Sequence, residues 1–266
     1  MVIDGRIGFV GGINFDHVYE NTARFTAGVS GDTDHAYWRD TEARIDGPVV
    51  ARLQRAFFDT WSKQNRAALR PRAWYPPLPV TGDQTVRILA SAPNDDRPLY
   101  YAWLLRAFRA ARHSISLSTG YFVPTHQERE ELARAARRGV RVRLVLPSYS
   151  DSPEALAAGH AAYGDLLEAG VRIHEVQHMV PHSKFVVIDG VWMAIGSSNF
   201  DRRSVVFNNE IDAIVLGSAA SQGEAVLDQD IALSKEVDLR TWRAAVEGAF
   251  GRVAGAALGV LAVTAL

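Results

Sequence analysis

The chain has 266 residues, 47% of them hydrophobic, enough to bury a large core as one big domain or two of ordinary size. Its 29 basic and 30 acidic residues nearly cancel, which excludes the broad positive footprint of a general nucleic-acid binder but leaves room for a locally basic groove. There is no Cys, so disulfides and thiol chemistry are excluded. No signal-peptide pattern opens the chain, and no apolar run reaches the roughly 20 residues of a membrane span.

Residues 2–16 read VIDGRIGFVGGINFD, and residues 187–201 read VIDGVWMAIGSSNFD. At a constant offset of 185, Val2, Ile3, Asp4, Gly5, Gly11, Asn14, Phe15 and Asp16 meet identical residues, the mark of an internal repeat. The repeat predicts a duplicated unit with pseudo-two-fold symmetry. Residues 17–35 read as a loop, and Tyr37 to Ile45 alternates as a strand. In the repeat, that strand takes the place of the one holding Glu210, so Asp40 is a candidate carboxylate for orienting the counterpart of His182 expected upstream of Met1. Gly47-Pro48 starts a helix whose apolar face carries Val49, Val50, Leu53, Phe57, Phe58 and Trp61. Residues 65–84, rich in Pro, are a linker.

A second series of elements follows. Strands are expected at Val86 to Ala90, Ser114 to Ser118, Val140 to Leu146 and Val171 to Val176. Helices are expected at Leu99 to Arg112, Gln127 to Arg138 and Pro153 to Ala169, the last with Ser152 as N-cap. Tyr121 stands at a strand end, where sites form in α/β sheets, and is a candidate pocket residue. Ile211 to Leu216 reads as a strand and residues 219–234 as a helix. Residues 253–266 are apolar and uncharged, and either dock on the body or enter a membrane interface.

The chemistry concentrates between His182 and Glu210, HSKFVVIDGVWMAIGSSNFDRRSVVFNNE. Phe185 to Ile188 reads as a buried strand, Asp189-Gly190 as a hairpin turn, and Trp192 to Ile195 as the returning strand. That hairpin brings His182 and Lys184 beside Ser197 and Asn199. An imidazole can attack or move a proton near neutral pH. An ammonium, a hydroxyl and a carboxamide can hold phosphate oxygens. Glu210 is the natural carboxylate to orient His182. The plain alternative is a buried core histidine beside a solvated lysine, and the clustering of five fitting residue types around one hairpin disfavours it. Within the motif itself no second His or Cys lies at ligand spacing from His182, and no metal is needed.

The pattern HxKxxxxD followed by GSxN resembles the signature of the phospholipase D superfamily. The runs WRDT at 38–41, YFVP at 121–124 and DRRS at 201–204 resemble its cardiolipin synthase branch, which usually has His after WRDT where this chain has Glu42. The resemblance implies an α/β fold of two pseudo-two-fold-related phospholipase D-like halves, each a mixed sheet flanked by helices. Residues 1–80 would be the C-terminal part of the first half, 81–245 the complete second half and 246–266 an apolar tail. It implies transfer of a phosphatidyl group from one phosphatidylglycerol to another, giving cardiolipin and glycerol. In that scheme one His attacks phosphorus, and the other protonates the leaving alcohol and activates the incoming one.

On this reading the counterpart of His182 falls before Met1, and a full-length form with an upstream His-x-Lys is expected. His182 would be the general acid and base, with Lys184, Ser197, Asn199, Gly12 and Asn14 around the phosphate and Glu210 behind His182. Asp189 belongs to the signature and is counted with the catalytic set, although its place suits holding a turn, as does that of Asp4. The Ser-Asp-Ser triplet at 150–152 and His160 resemble positions that shape a headgroup site. No cofactor is implied. The expected partners are phospholipid and a bacterial membrane surface, and nucleic acid is not expected. Three alternatives stay open: a lipid or nucleic-acid phosphodiesterase, a non-catalytic half-site lipid binder, and a homodimer in which two His182 side chains meet.

Overall fold

The computed structural model describes residues 1–16, 19, 38–64, 69, 74–93 and 98–246. Apart from Tyr19, the expected loop at 17–35 lies outside the described residues. So do Tyr37, most of the linker between 65 and 73, and the apolar tail.

The N-terminal part contributes strands β1 (Val2–Ile3), β2 (Ile7–Gly11), β3 (Trp38–Arg39) and β4 (Glu42–Asp46), then helix α1 (Val50–Lys63). Next come β5 (Thr85–Ser91), α2 (Leu99–Ala110), β6 (Ser114–Ser118), β7 (Phe122–Val123) and α3 (His126–Arg137). The chain continues through β8 (Arg141–Pro147), α4 (Pro153–His160), α5 (Tyr163–Glu168), β9 (Arg172–Val176) and β10 (Val180–Pro181). The last elements are β11 (Phe185–Ile188), β12 (Trp192–Gly196), β13 (Phe200–Asp201), α6 (Arg202–Val206), β14 (Glu210–Leu216), α7 (Ala219–Ala232) and β15 (Ser234–Glu236).

The main sheet has eight strands in the order β15-β9-β8-β6-β11-β12-β14-β5. It is mixed: β6, β8 and β9 run parallel, and the remaining pairs are antiparallel. Two apolar layers sandwich it. One joins Leu104, Phe108, Leu132 and Tyr163 to Leu144, Ile173 and Val186. The other joins Leu227 of α7 to Phe185, Val187 and Ile195, and extends to Val10, Val50 and Leu53 of the N-terminal part. All four residues of β11 are buried. Each such side chain contributes about 1.5–3 kcal/mol of burial, so the strand that follows His182 is firmly held.

The repeat is visible in the register. In the first copy Val2 pairs with Gly8 and Ile3 with Ile7; in the second Val187 pairs with Met193 and Ile188 with Trp192, each residue shifted by 185. Asp4-Gly5 and Asp189-Gly190 make the same turn, with φ of 50° and 67° in the first and 52° and 67° in the second. Two successive positive φ values define the hairpin turn that suits right-twisted strands. The third strand also corresponds: Gly11 pairs with Glu42, and Gly196 with Asp212. Asp40 and Glu210, each two residues earlier, are therefore structural counterparts. The described strands of the first copy form a three-stranded antiparallel sheet, β1-β2-β4.

Three expected elements differ. The strand from Tyr37 to Ile45 is broken at Asp40-Thr41, which frees Asp40 from the ladder. The helix expected over Pro153 to Ala169 breaks after His160, where Tyr163 turns into the core and donates to Glu175 Oε1 at 3.2 Å. Helix α3 starts one residue early because Thr125 and Glu128 close a capping box.

Asp189 is placed by the structure as a scaffold residue, which corrects its inclusion in the catalytic set. Its carboxylate accepts from Arg112 N at 2.9 Å, His113 N at 2.7 Å and Ser114 N at 2.8 Å, pinning the entry to β6. Burial pushes its pKa up, but those donors outweigh burial and hold it below the usual carboxylate range. Asp189→Ala is expected to lower unfolding stability by roughly 2–4 kcal/mol, since three backbone donors lose a charged acceptor. A depressed carboxylate stabilises above its ordinary pKa, and that contribution is lost as pH falls through the folded-state value. The difference between wild type and variant should therefore shrink below about pH 4 in urea titrations, and a difference independent of pH would contradict the charge-based account.

Candidate active site

Two short parallel pairs close the site. β10 pairs with β3, setting Pro181 against Arg39, and β13 pairs with β7, setting Phe200 against Phe122. The first joins the N-terminal part to the residue before His182. His182 N donates to Arg39 O at 2.7 Å, and Thr41 Oγ1 lies 2.9 Å from Ser183 Oγ. Arg39 also reaches across to the buried Asp230 of α7 at 2.9 Å. Burial pushes the Asp230 carboxyl up, and Arg39 opposes that rise.

These contacts deliver Asp40 to His182. Nδ1 of the buried imidazole donates to Asp40 Oδ2 at 2.8 Å. That hydrogen bond fixes the ring and leaves Nε2 as the nitrogen for chemistry. Tyr19 Oη lies 2.9 Å from Nδ1 and 3.4 Å from Asp40 Oδ2. Trp38 packs on the imidazole with ring centroids 4.5 Å apart. Gly120 gives the ring its space: a Cβ there would stand 2.9 Å from His182 Cδ2.

The expectations that Glu210 orients His182 and that Asp40 serves the upstream counterpart are thereby corrected. Glu210 accepts from Ser197 Oγ and from Asn208 Nδ2, the latter at 2.9 Å, while Asp40 takes the imidazole. The carboxylate on His182 comes from the other copy of the repeat. Gly12 explains part of this: a Cβ there would lie 2.6 Å from Asp40 Oδ2, so the counterpart of Ser197 has to be a residue without a side chain.

An open cleft of about 490 Å³ collects Gly12, Asn14, His182, Lys184, Ser197, Asn199 and Glu210, with Gly11, Phe207, Asn208 and Asn209 completing its wall. Seven of the ten residues singled out from the sequence thus meet in one cavity. Asp40 lies behind it on His182, and Asp189 lies outside it. Tyr121 is also outside: its ring stands edge-on to His182 at 6.2 Å, and its hydroxyl donates to Asp151 Oδ1 at 2.6 Å. Burial, with Asp151 as hydrogen-bond partner, pushes that phenol well up. His160 is not a headgroup ligand here, because it packs on Tyr163 and Trp242 with Nε2 3.2 Å from Glu175 Oε1. Ser152 caps α4 through Ala155 N at 3.3 Å.

The cavity suits an anion. Lys184 is buried, its ammonium donating to His182 O. Burial lowers its pKa to about 8, against the pull of Asp40, Glu210 and Asp201. Asn199 N donates to Ser204 Oγ at 3.0 Å, while its side-chain oxygen is buried without a partner among the described residues. That oxygen is an acceptor and fits a ligand that brings a donor, such as a hydroxyl, while the Nδ2 of the same side chain is the donor available to an anion. Below it, Asp212 accepts from Ser198 Oγ at 2.6 Å and from Ser198 N at 3.3 Å. Burial pushes Asp212 up to about 7. Among the described residues no cluster of His, Cys, Asp and Glu could hold a metal, and no helix is long and apolar enough to cross a membrane.

Sequence reasoning gave no role to Tyr19, Trp38 and Gly120 around the ring. Trp38 left a signal in the WRDT run and Gly120 as a glycine between a strand and an aromatic residue.

Residues 104–231 match the family described as cardiolipin synthase, PLD-like domain. A probable cardiolipin synthase of Bacillus subtilis is 31% identical over 242 residues, covering 89% of this chain and 46% of the relative. A cardiolipin synthase of Geobacillus thermodenitrificans is 34% identical over 221 residues, covering 81% of this chain and 41% of the relative. The chain spans less than half the length of these curated relatives. In fold it is similar to the crystal structure of a phosphatidylserine synthase of Haemophilus influenzae, with a TM-score of 0.61 at 14% identity over 97% of this chain and 69% of that one.

Two measurements test the site. The imidazole 15N resonances of His182 should shift in Asp40→Asn and stay in place in Glu210→Gln; the opposite pattern would refute the pairing. Lys184 should react with an amine reagent with a midpoint near pH 8, not the ordinary 10.5. A midpoint near the ordinary value would mean the ammonium is solvated.

Proposed function

We propose, for a chain that belongs to the phospholipase D superfamily and is cardiolipin synthase-like, that this cleft carries phosphatidyl transfer between two phosphatidylglycerol molecules. The observation that carries the reading is the Asp40–His182 hydrogen bond made across the two copies of the repeat, with Lys184 and Asn199 in the same cavity.

The repeat supplies the rest of the scheme. Asp40 and Glu210 are counterparts, and Asp40 holds His182. By symmetry Glu210, already on the cleft wall, is the carboxylate for the imidazole that corresponds to His182. That second imidazole attacks the phosphorus of phosphatidylglycerol. A P–N bond forms as the P–O bond to glycerol breaks, and His182 gives its proton to the departing glycerol oxygen. His182 then takes the proton from a hydroxyl of the second phosphatidylglycerol, whose oxygen displaces that second imidazole from phosphorus. The products are cardiolipin and glycerol. Lys184, Asn199, Asn14, Ser197 and the glycine edge at Gly12 bind the phosphoryl oxygens as charge builds in the transition state. Asp40 stabilises the imidazolium of His182 before the first step and after the second, and keeps the neutral ring oriented between them.

Protein purified from its own host, supplied with labelled phosphatidylglycerol in mixed micelles, should form cardiolipin and free glycerol. His182→Ala should lower the rate by about 10²–10⁴-fold or more, with an unchanged circular dichroism spectrum. Asp40→Asn should fall in the same range with little change in KM, because it acts on His182 and not on lipid. Undiminished transfer in the folded His182→Ala protein would refute the mechanism.

A further inference from the structure

The short helix α6 and the residue after it stand at the mouth of the cleft. Phe207 lines the cavity with His182 and Lys184, yet it is 61% exposed, and Val206 beside it is 38% exposed. Arg202 and Arg203 are exposed on the same turn, and neither has a carboxylate partner among the described residues. The nearest carboxylate in sequence, Asp201, is committed to the helix start, accepting from Ser204 N at 2.7 Å.

This turn is held rigidly from behind. Phe200 is buried and stacked on Phe122 with ring centroids 5.8 Å apart. Ser204 is buried and takes the Asn199 amide. Phe207 N and Asn208 N both donate to Arg203 O, at 2.8 and 3.0 Å. A fixed turn therefore presents two apolar side chains and two guanidinium groups that have no carboxylate partner among the described residues. What distinguishes Val206 and Phe207 is that they are adjacent, stand at the mouth of the cleft and are flanked by two exposed arginines.

We propose that this turn docks the chain on an anionic phospholipid bilayer. Val206 and Phe207 enter the boundary between headgroups and acyl chains, and Arg202 and Arg203 bind the headgroup phosphates. The proposal rests on the reading that the substrate is a bilayer lipid. The scissile phosphate must then reach His182 through this mouth, so the mouth faces the bilayer. Cations at the rim also favour an anionic lipid over a zwitterionic one.

The test is co-sedimentation with vesicles of phosphatidylcholine alone and of phosphatidylcholine mixed with phosphatidylglycerol. Wild type should bind the mixed vesicles more tightly, and salt should weaken the preference. Arg202→Gln with Arg203→Gln should lower binding to mixed vesicles by about tenfold or more. Val206→Ser with Phe207→Ser should weaken binding to both kinds, and thermal melts would establish that each variant folds. The apolar stretch at 253–266 is intact in every variant, so residual binding through it appears as a common background. Both variants partitioning like wild type would overturn the proposal. So would a wild type that stays in the supernatant with every vesicle, which would leave the turn as a protein-facing surface. Vesicle binding needs no chemistry, so His182→Ala should sediment like wild type. A protein that binds vesicles but transfers no phosphatidyl group would count against the catalytic reading alone.

Discussion

The hydrogen bond from His182 to Asp40 is the constraint on which the rest of the site depends. It joins a residue at the head of β11 to one in a break between β3 and β4, and the two lie in different copies of the repeat. Everything near it serves that reach. β10 pairs with β3, Arg39 clasps Asp230, Thr41 meets Ser183, and Gly12 leaves the space through which the Asp40 carboxylate passes. A buried imidazole without a carboxylate would lose both its tautomer and its orientation. The Asp40 carboxylate also accepts from Thr41 N at 2.8 Å and lies 3.4 Å from Tyr19 Oη, so its own copy holds it in place while it orients the ring of the other.

The copies are symmetric in backbone and asymmetric in side chains at the points that matter. Registers and turns superpose by a shift of 185, but Gly12 stands where Ser197 does, and Asp40 stands where Glu210 does. In one copy the missing side chain opens a path for the shorter carboxylate to a histidine. In the other, Ser197 and Asn208 hold the longer carboxylate at the cleft wall. Glutamate at that position is longer by one methylene and carries two hydrogen bonds from its own copy, so it is held in position at the wall instead of drawn into the interior.

Much of the fold was legible in the sequence because two physical signals coincide there. The Asp-Gly turns with buried runs on either side fix a hairpin, and the hairpin fixes which residues face each other; hence His182, Lys184, Ser197 and Asn199 could be placed together. The partner of His182 was not legible in this way. Proximity in sequence favours Glu210, and only the three-dimensional crossing of β3 over β10 reveals that Asp40 arrives first. The break at Asp40-Thr41 is invisible to periodicity, since WRDTEARI alternates as well as an unbroken strand would. Asp189 misleads for a similar reason. It belongs to the recurring signature, but its carboxylate points back at the amides of residues 112–114, and the need for an acceptor there lies 75 residues away in the chain. Tyr19, in a stretch of weak periodicity, left no pattern at all.

Charge completes the picture of the cavity. Lys184 is the cation lodged inside it, and burial alone weakens its hold on its proton, to about pKa 8. Three carboxylates, Asp40, Glu210 and Asp201, oppose that loss but are engaged with other donors. A phosphodiester entering the cleft adds a negative charge directly beside the ammonium and displaces the water that burial had already made scarce. By linkage, whatever raises the pKa of Lys184 on binding must bind more tightly to the protonated form. On the proposed mechanism a monoanion therefore binds more tightly while Lys184 holds its proton. His182 takes its orientation from Asp40, so in that mechanism holding the anion and moving the proton fall to different side chains.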